Sequence, residues 1–149
     1  MTISSRLISL AGAVLIATSL GVAGAQSPQE AMVVDAAKAD FKEVVPGVKK
    51  KVLWGNHDTG PYGAFTKFDP SLANPLHTHT NEVRIVVLRG AYLYTPQGGK
   101  QRRIGPGSYI SVPGGLPHVS AADAKAGALF YEESPGGFDL KPVEQPGKK

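Results

Sequence analysis

Eighteen glycines and 12 prolines fall within 149 residues, and this density of breakers limits the fold more than any other feature. Pro removes a helix hydrogen bond and Gly weakens a helix interior, so long helices and coiled coils are disfavoured. Many short strands joined by turns suit such a chain. The 42% hydrophobic content is too high for a disordered polymer, and the length gives room for one domain. There is no cysteine, which excludes disulfides, thiol catalysis, zinc knuckles and iron–sulfur clusters.

Residues 1–25 read as a secretory signal peptide. Arg6 is their only charge, the apolar run Leu7 to Leu20 follows it, and Ala23-Gly24-Ala25 places small residues where a signal peptidase needs them. The alternative is a membrane anchor, but the run is short of the roughly 20 residues that span a bilayer, and Gly12 and Gly21 dilute the segment. No twin-arginine pair precedes the run, so export is expected before folding and metal loading. Cleavage after Ala25 leaves 149 − 25 = 124 residues and lowers the net charge from +4 to +3. The expected destination is the periplasm or the external medium, with no stable membrane anchor after cleavage. The basic residues are scattered as Lys49-Lys50-Lys51, Arg102-Arg103 and Lys148-Lys149, without interleaved stacking aromatics. They read as solvated faces or tail, and no nucleic-acid partner is expected.

The rest of the chain divides into a flexible segment at 26–32, one folded domain at 33–143 and a polar tail at 144–149. Val33 to Val45 reads as a short strand and one helical turn, Asp35 to Asp40, which Asp35 is placed to cap and Pro46-Gly47 follows as a break. Strands are expected at 51–54, 62–68, 82–88, 91–95, 102–104, 108–112, 117–121 and 128–132. Tyr62, Ala64, Thr66 and Phe68 alternate with Gly63, Phe65 and Lys67, the period-two signature of a half-buried strand. About eight short antiparallel strands imply a sandwich or small barrel. Tyr92 and Tyr94 share one strand face and read as packing. His57, in Asn56-His57-Asp58-Thr59-Gly60, reads as a turn residue, and Glu132-Glu133 as a strand end at the surface.

The chemistry sits in the remaining histidines. His77 and His79 are two residues apart beside a strand, so their rings point to one face about 7 Å apart along the backbone. Two imidazoles can then converge on one ion with bonds near 2 Å. A third ligand must come from elsewhere, and His118, after the tight turn Pro113-Gly114-Gly115, starts a new strand.

These two segments resemble the paired motifs of the cupin superfamily. Gly107, Pro113, Gly115 and His118 match the fixed positions of the second motif, with Ala122 in place of its closing Asn. His77, His79 and Gly90 match the first, with Ser71 in place of its leading Gly and Glu82 one position early for its Glu. The spacer from Gly90 to Gly107 is 16 residues, close to that of small bacterial cupins. The stretch from Trp54-Gly55 to Phe138-Asp139 more loosely resembles the single-domain DUF4437 group. The resemblance implies an all-β fold, a double-stranded β-helix or jelly-roll barrel over 33–143. It implies one divalent transition metal (Zn, Fe, Mn, Ni or Cu) held by His77, His79, His118 and Glu82. Strict alternation from His79 turns Glu82 away from the other ligands unless a bulge at Thr80-Asn81 restores it. The competing reading of Glu82 is a surface carboxylate beside Arg84, and that of the histidines is the polar lining of a cupin that has lost its metal.

Two function classes follow. An open-sided metal suits an enzyme on a small organic molecule: an oxygenase with Fe(II), or a Lewis-acid isomerase or hydrolase with Zn, Mn or Ni. The alternative is a non-catalytic module that binds or senses a small ligand or the metal itself. A homodimer paired through sheet edges is the further arrangement the resemblance implies.

Overall fold

The computed structural model describes residues 30–144. The chain divides into Met1–Met32 and Val33–Lys149. Of the first unit only residues 30–32 are described, an exposed stretch without regular structure. The signal-peptide reading of residues 1–25 and most of the tail reading at 144–149 therefore lie outside the described residues.

The second unit is all β, in eleven strands among the described residues. They are β1 (Lys42–Val45), β2 (Val48–Gly55), β3 (Tyr62–Phe68), β4 (His77–Thr78), β5 (Val83–Gly90), β6 (Tyr92–Pro96), β7 (Arg102–Ile104), β8 (Tyr109–Val112), β9 (His118–Ala122), β10 (Ala128–Ser134) and β11 (Lys141–Pro142). All eight expected strands are present within a few residues. β1 lies within the 33–45 segment expected to hold a short strand, and β1, β4 and β11 are short and are defined by their pairing partners more than by local pattern. The capping expectation at Asp35 gives one turn, in which the Ala37 amide donates to the Asp35 carboxylate at 2.8 Å.

A six-stranded sheet has the order β1-β2-β3-β10-β5-β8, and a five-stranded sheet the order β11-β4-β9-β6-β7. Every pairing is antiparallel. Strands distant in sequence lie side by side, as in β3-β10-β5 and β4-β9-β6, and this interleaving is that of a jelly roll. Val83, Ile85 and Val87 of β5 and Phe130 of β10 meet Tyr92 and Tyr94 of β6 in one buried cluster. Tyr92 and Phe130 pack edge to face with centroids 5.4 Å apart, so the two sheets share one core.

The matched motif positions have conformational reasons. Gly90 links β5 to β6 with φ +72°, and a Cβ there would stand 2.1 Å from the Gly127 carbonyl oxygen, so only Gly fits. Ser71, in place of the motif's leading Gly, is left-handed with φ 64°, the conformation a Gly would have adopted without cost.

Asp123 closes the β9–β10 hairpin. The amides of Ala126 and Lys125 donate to its carboxylate at 2.8 and 3.0 Å, and Arg103 pairs with it. These partners, the Ala126 amide foremost, hold its carboxyl down to about 2 against an ordinary 3.8. A depressed carboxyl adds stability above its unfolded value, and that stability drains away as pH falls toward the folded value. Asp123→Asn is therefore expected to flatten the acid limb of the stability profile between about pH 4 and pH 2. Chemical denaturation at stepped pH measures this, and parallel profiles for parent and variant would refute it.

Candidate metal centre

His77 opens β4 and His118 opens β9, and the two residues face each other across the antiparallel ladder. A pairing of this kind brings side chains on one face within about 5 Å. Their ring centroids are 4.3 Å apart. His79 lies just beyond β4, with its ring 4.9 Å from His77 and 5.3 Å from His118. The second motif fixes it there: the Gly115 amide donates to the His79 carbonyl at 2.8 Å. Gly114 passes so close that a Cβ would meet the Thr80 carbonyl oxygen at 2.3 Å. All three histidines are buried, and one ligating atom from each lies within 4.8 Å of the others.

Their second nitrogens decide the tautomers. Nδ1 of His77 bonds the Pro75 carbonyl at 2.6 Å, and Nδ1 of His118 bonds the Leu116 carbonyl at 2.9 Å. Nδ1 of His79 bonds the Asp139 carbonyl. A carbonyl only accepts, so each Nδ1 carries the proton and each Nε2 keeps its lone pair. Nε2 of His118 is buried without a hydrogen-bond partner among the described residues, which is costly unless something else occupies the lone pair. Burial drives His77 down to about 4, with the neighbouring imidazoles adding to the effect. Burial likewise lowers His79 and His118. Three neutral imidazoles, each oriented by a carbonyl and with a free Nε2, suit a divalent transition metal.

Glu82 stands apart from this group. Its carboxylate accepts from Arg84 at 2.6 Å and from the Ser111 hydroxyl, and Arg84 is the main cause of its lowered pKa. The reason is alternation: Val83, Ile85 and Val87 face the core, so Glu82 shares the outward parity of Arg84. The chain between β4 and β5 does leave the strand conformation, but it does so without changing that parity.

Two residues read as surface are instead inside. Glu132 is 3% exposed and Lys50 is 5% exposed. The Lys50 ammonium pairs with Glu132 Oε1, and the Tyr62 hydroxyl donates to the same oxygen at 3.1 Å. Burial, reinforced by the Glu132 charge, raises the Tyr62 phenol far above its ordinary value, so it stays a donor. The missed signal for Glu132 is period two: Ala128, Phe130, Glu132 and Ser134 are all buried. For Lys50 the flanking lysines masked its parity with buried Val48. His57 occupies the expected turn, but its ring stacks on Phe138 at 5.2 Å and its Nε2 is buried without a partner.

A cavity of about 430 Å³ joins these features, with His77, His79, Lys50 and Glu132 among its lining residues. Its wall is largely apolar, built from residues such as Val48, Ile85, Phe130 and Leu140. Phe138 separates the polar groups, with its ring 5.0 Å from that of His79 and its face 4.0 Å from the Lys50 ammonium. Such a concave, apolar site with a few convergent polar groups is what a small organic ligand requires.

The profile of a family described as "Domain of unknown function (DUF4437)" matches residues 31–148. No curated protein matches the sequence. Solved structures do. The polyketide cyclase RemF from Streptomyces resistomycificus is 21% identical with a TM-score of 0.64, over 78% of this chain and 87% of that one. An RmlC-like cupin from Shewanella frigidimarina NCIMB 400 is 20% identical with a TM-score of 0.56, over 72% and 93%. The DMSP lyase DddQ from Ruegeria pomeroyi DSS-3 is 20% identical with a TM-score of 0.56, over 75% and 64%. At these identities the likeness establishes the cupin fold, which hosts enzymes of several kinds.

Proposed function

This chain belongs to the DUF4437 family, and on that footing we propose that it is a metal-dependent cupin enzyme acting on a small organic molecule in its apolar cavity. The observation that carries the reading is the orphaned Nε2 of His118 beside two imidazoles whose Nδ1 positions are already taken. His77, His79 and His118 would hold one divalent transition metal. Bound there, such an ion supplies Lewis acidity or, as Fe(II), oxygen chemistry. The chain's own residues do the rest. The carbonyls of Pro75, Leu116 and Asp139 aim the imidazoles, the cavity wall excludes bulk water, and Lys50 and Glu132, the latter held by the Tyr62 hydroxyl, present a fixed polar patch to the occupant.

The test loads the purified chain with Fe(II), Mn, Ni or Zn, removes free metal and measures metal content. A panel of small organic acids and diketones is then followed by oxygen uptake and proton NMR. About one retained ion per chain, with turnover of one compound class, is expected. Failure to retain any ion overturns the metal reading. Retention without turnover of any compound leaves the non-catalytic binding module as the function.

Export of the protein to the periplasm or medium is part of the same proposal, supported by Arg6, the apolar run to Leu20 and Ala23-Gly24-Ala25. Mass spectrometry of the exported protein is expected to find Gln26 at its N-terminus. A cytosolic protein retaining residues 1–25 would refute it.

A further inference from the structure

The charges that face the cavity do not balance a metal ion. Lys50 contributes one positive charge and Glu132 one negative, and they are paired with each other. Imidazole ligands are neutral, and no carboxylate belongs to the histidine group among the described residues. Asp58 also lines the cavity, but its side chain is 87% exposed, so solvent screens it. A divalent ion on the triad would thus leave two positive charges without an internal counter-charge, in surroundings where uncompensated charge is expensive.

We propose that the cavity takes a small organic carboxylate, its anionic oxygens toward the metal seat on the side lined by His77 and His79 and its apolar body against Val48, Ile85, Phe130 and Leu140. This rests on the metal-binding reading and deepens it by naming the class of ligand. A volume of about 430 Å³ holds one compact ring or branched chain. Glu132 sets the selectivity. Its Oε1 accepts from both Lys50 and Tyr62, so the native pair is neutral toward an anion, and removing the Glu132 charge alone leaves the Lys50 ammonium as a further attraction for a carboxylate.

The experiment uses the full chain loaded with zinc, with benzoate as probe and benzyl alcohol as its neutral counterpart. Metal content is measured first, and binding by titration calorimetry second. Benzoate is expected to bind the loaded protein at least about tenfold more tightly than benzyl alcohol, and to lose about tenfold or more when the metal is removed. Glu132→Gln keeps the size and the hydrogen-bonding capacity while removing the charge. It is expected to keep its zinc and to bind benzoate more tightly than the parent. Loss of zinc from the parent protein removes the metal reading and this inference with it. Retained zinc with benzoate no better bound than benzyl alcohol overturns the inference alone. That comparison needs only the parent protein, so it stands even where the variant misfolds.

Discussion

His118→Ala is expected to strip the protein of its metal. The residue opens β9 opposite His77, and its Nε2 is buried with no hydrogen-bond partner among the described residues. Loss of an orienting partner alone typically lowers metal affinity 10- to 100-fold. Loss of a ligand from a set of three is expected to exceed about a hundredfold. Competition with a chromophoric chelator gives the affinity, and elemental analysis gives the retained content. The fold is expected to survive, since the backbone bond from the Gln97 amide to the Pro117 carbonyl does not involve the ring. Undiminished zinc in the variant would mean that the triad is not the ligand set.

Lys50→Met is expected to cost about 3–5 kcal/mol of folding stability, because it abandons the Glu132 carboxylate without a counter-charge in the interior. Glu132→Leu is expected to cost a similar amount by abandoning Lys50. Together the two changes are expected to cost far less than their sum, and the double variant should approach the parent, since apolar residues of similar volume often replace a buried pair at little loss. Urea denaturation of the four proteins completes the cycle. Additive losses would show that the two side chains do not act as a pair.

Much of this was legible in the sequence. Gly and Pro density spoke against long helices, and alternation in residues 62–68 located β3 to the residue. The spacing of His77 and His79, with Gly115 and His118 downstream, marked the triad because each position answers to a geometric need: same-face projection, a left-handed turn and strand entry. Residues whose placement depends on partners from elsewhere stayed hidden. Lys50 sits in a run of three lysines and Glu132 beside another glutamate, and a run of charge reads as solvated because burial of a charge requires a mate. That mate lies 82 positions away in the chain. Glu82 misleads for the opposite reason. It lies near a motif position, but strand parity turns it out to Arg84.

The histidine group and the group around Glu132 belong to different sheets. His77 and His118 stand on the five-stranded sheet, with His79 beside it, whereas Lys50, Tyr62 and Glu132 stand on the six-stranded one. On the proposed reading, ion capture and occupant selection fall to separate structural platforms, so substitutions on the selecting wall are expected to leave the ion's seat intact.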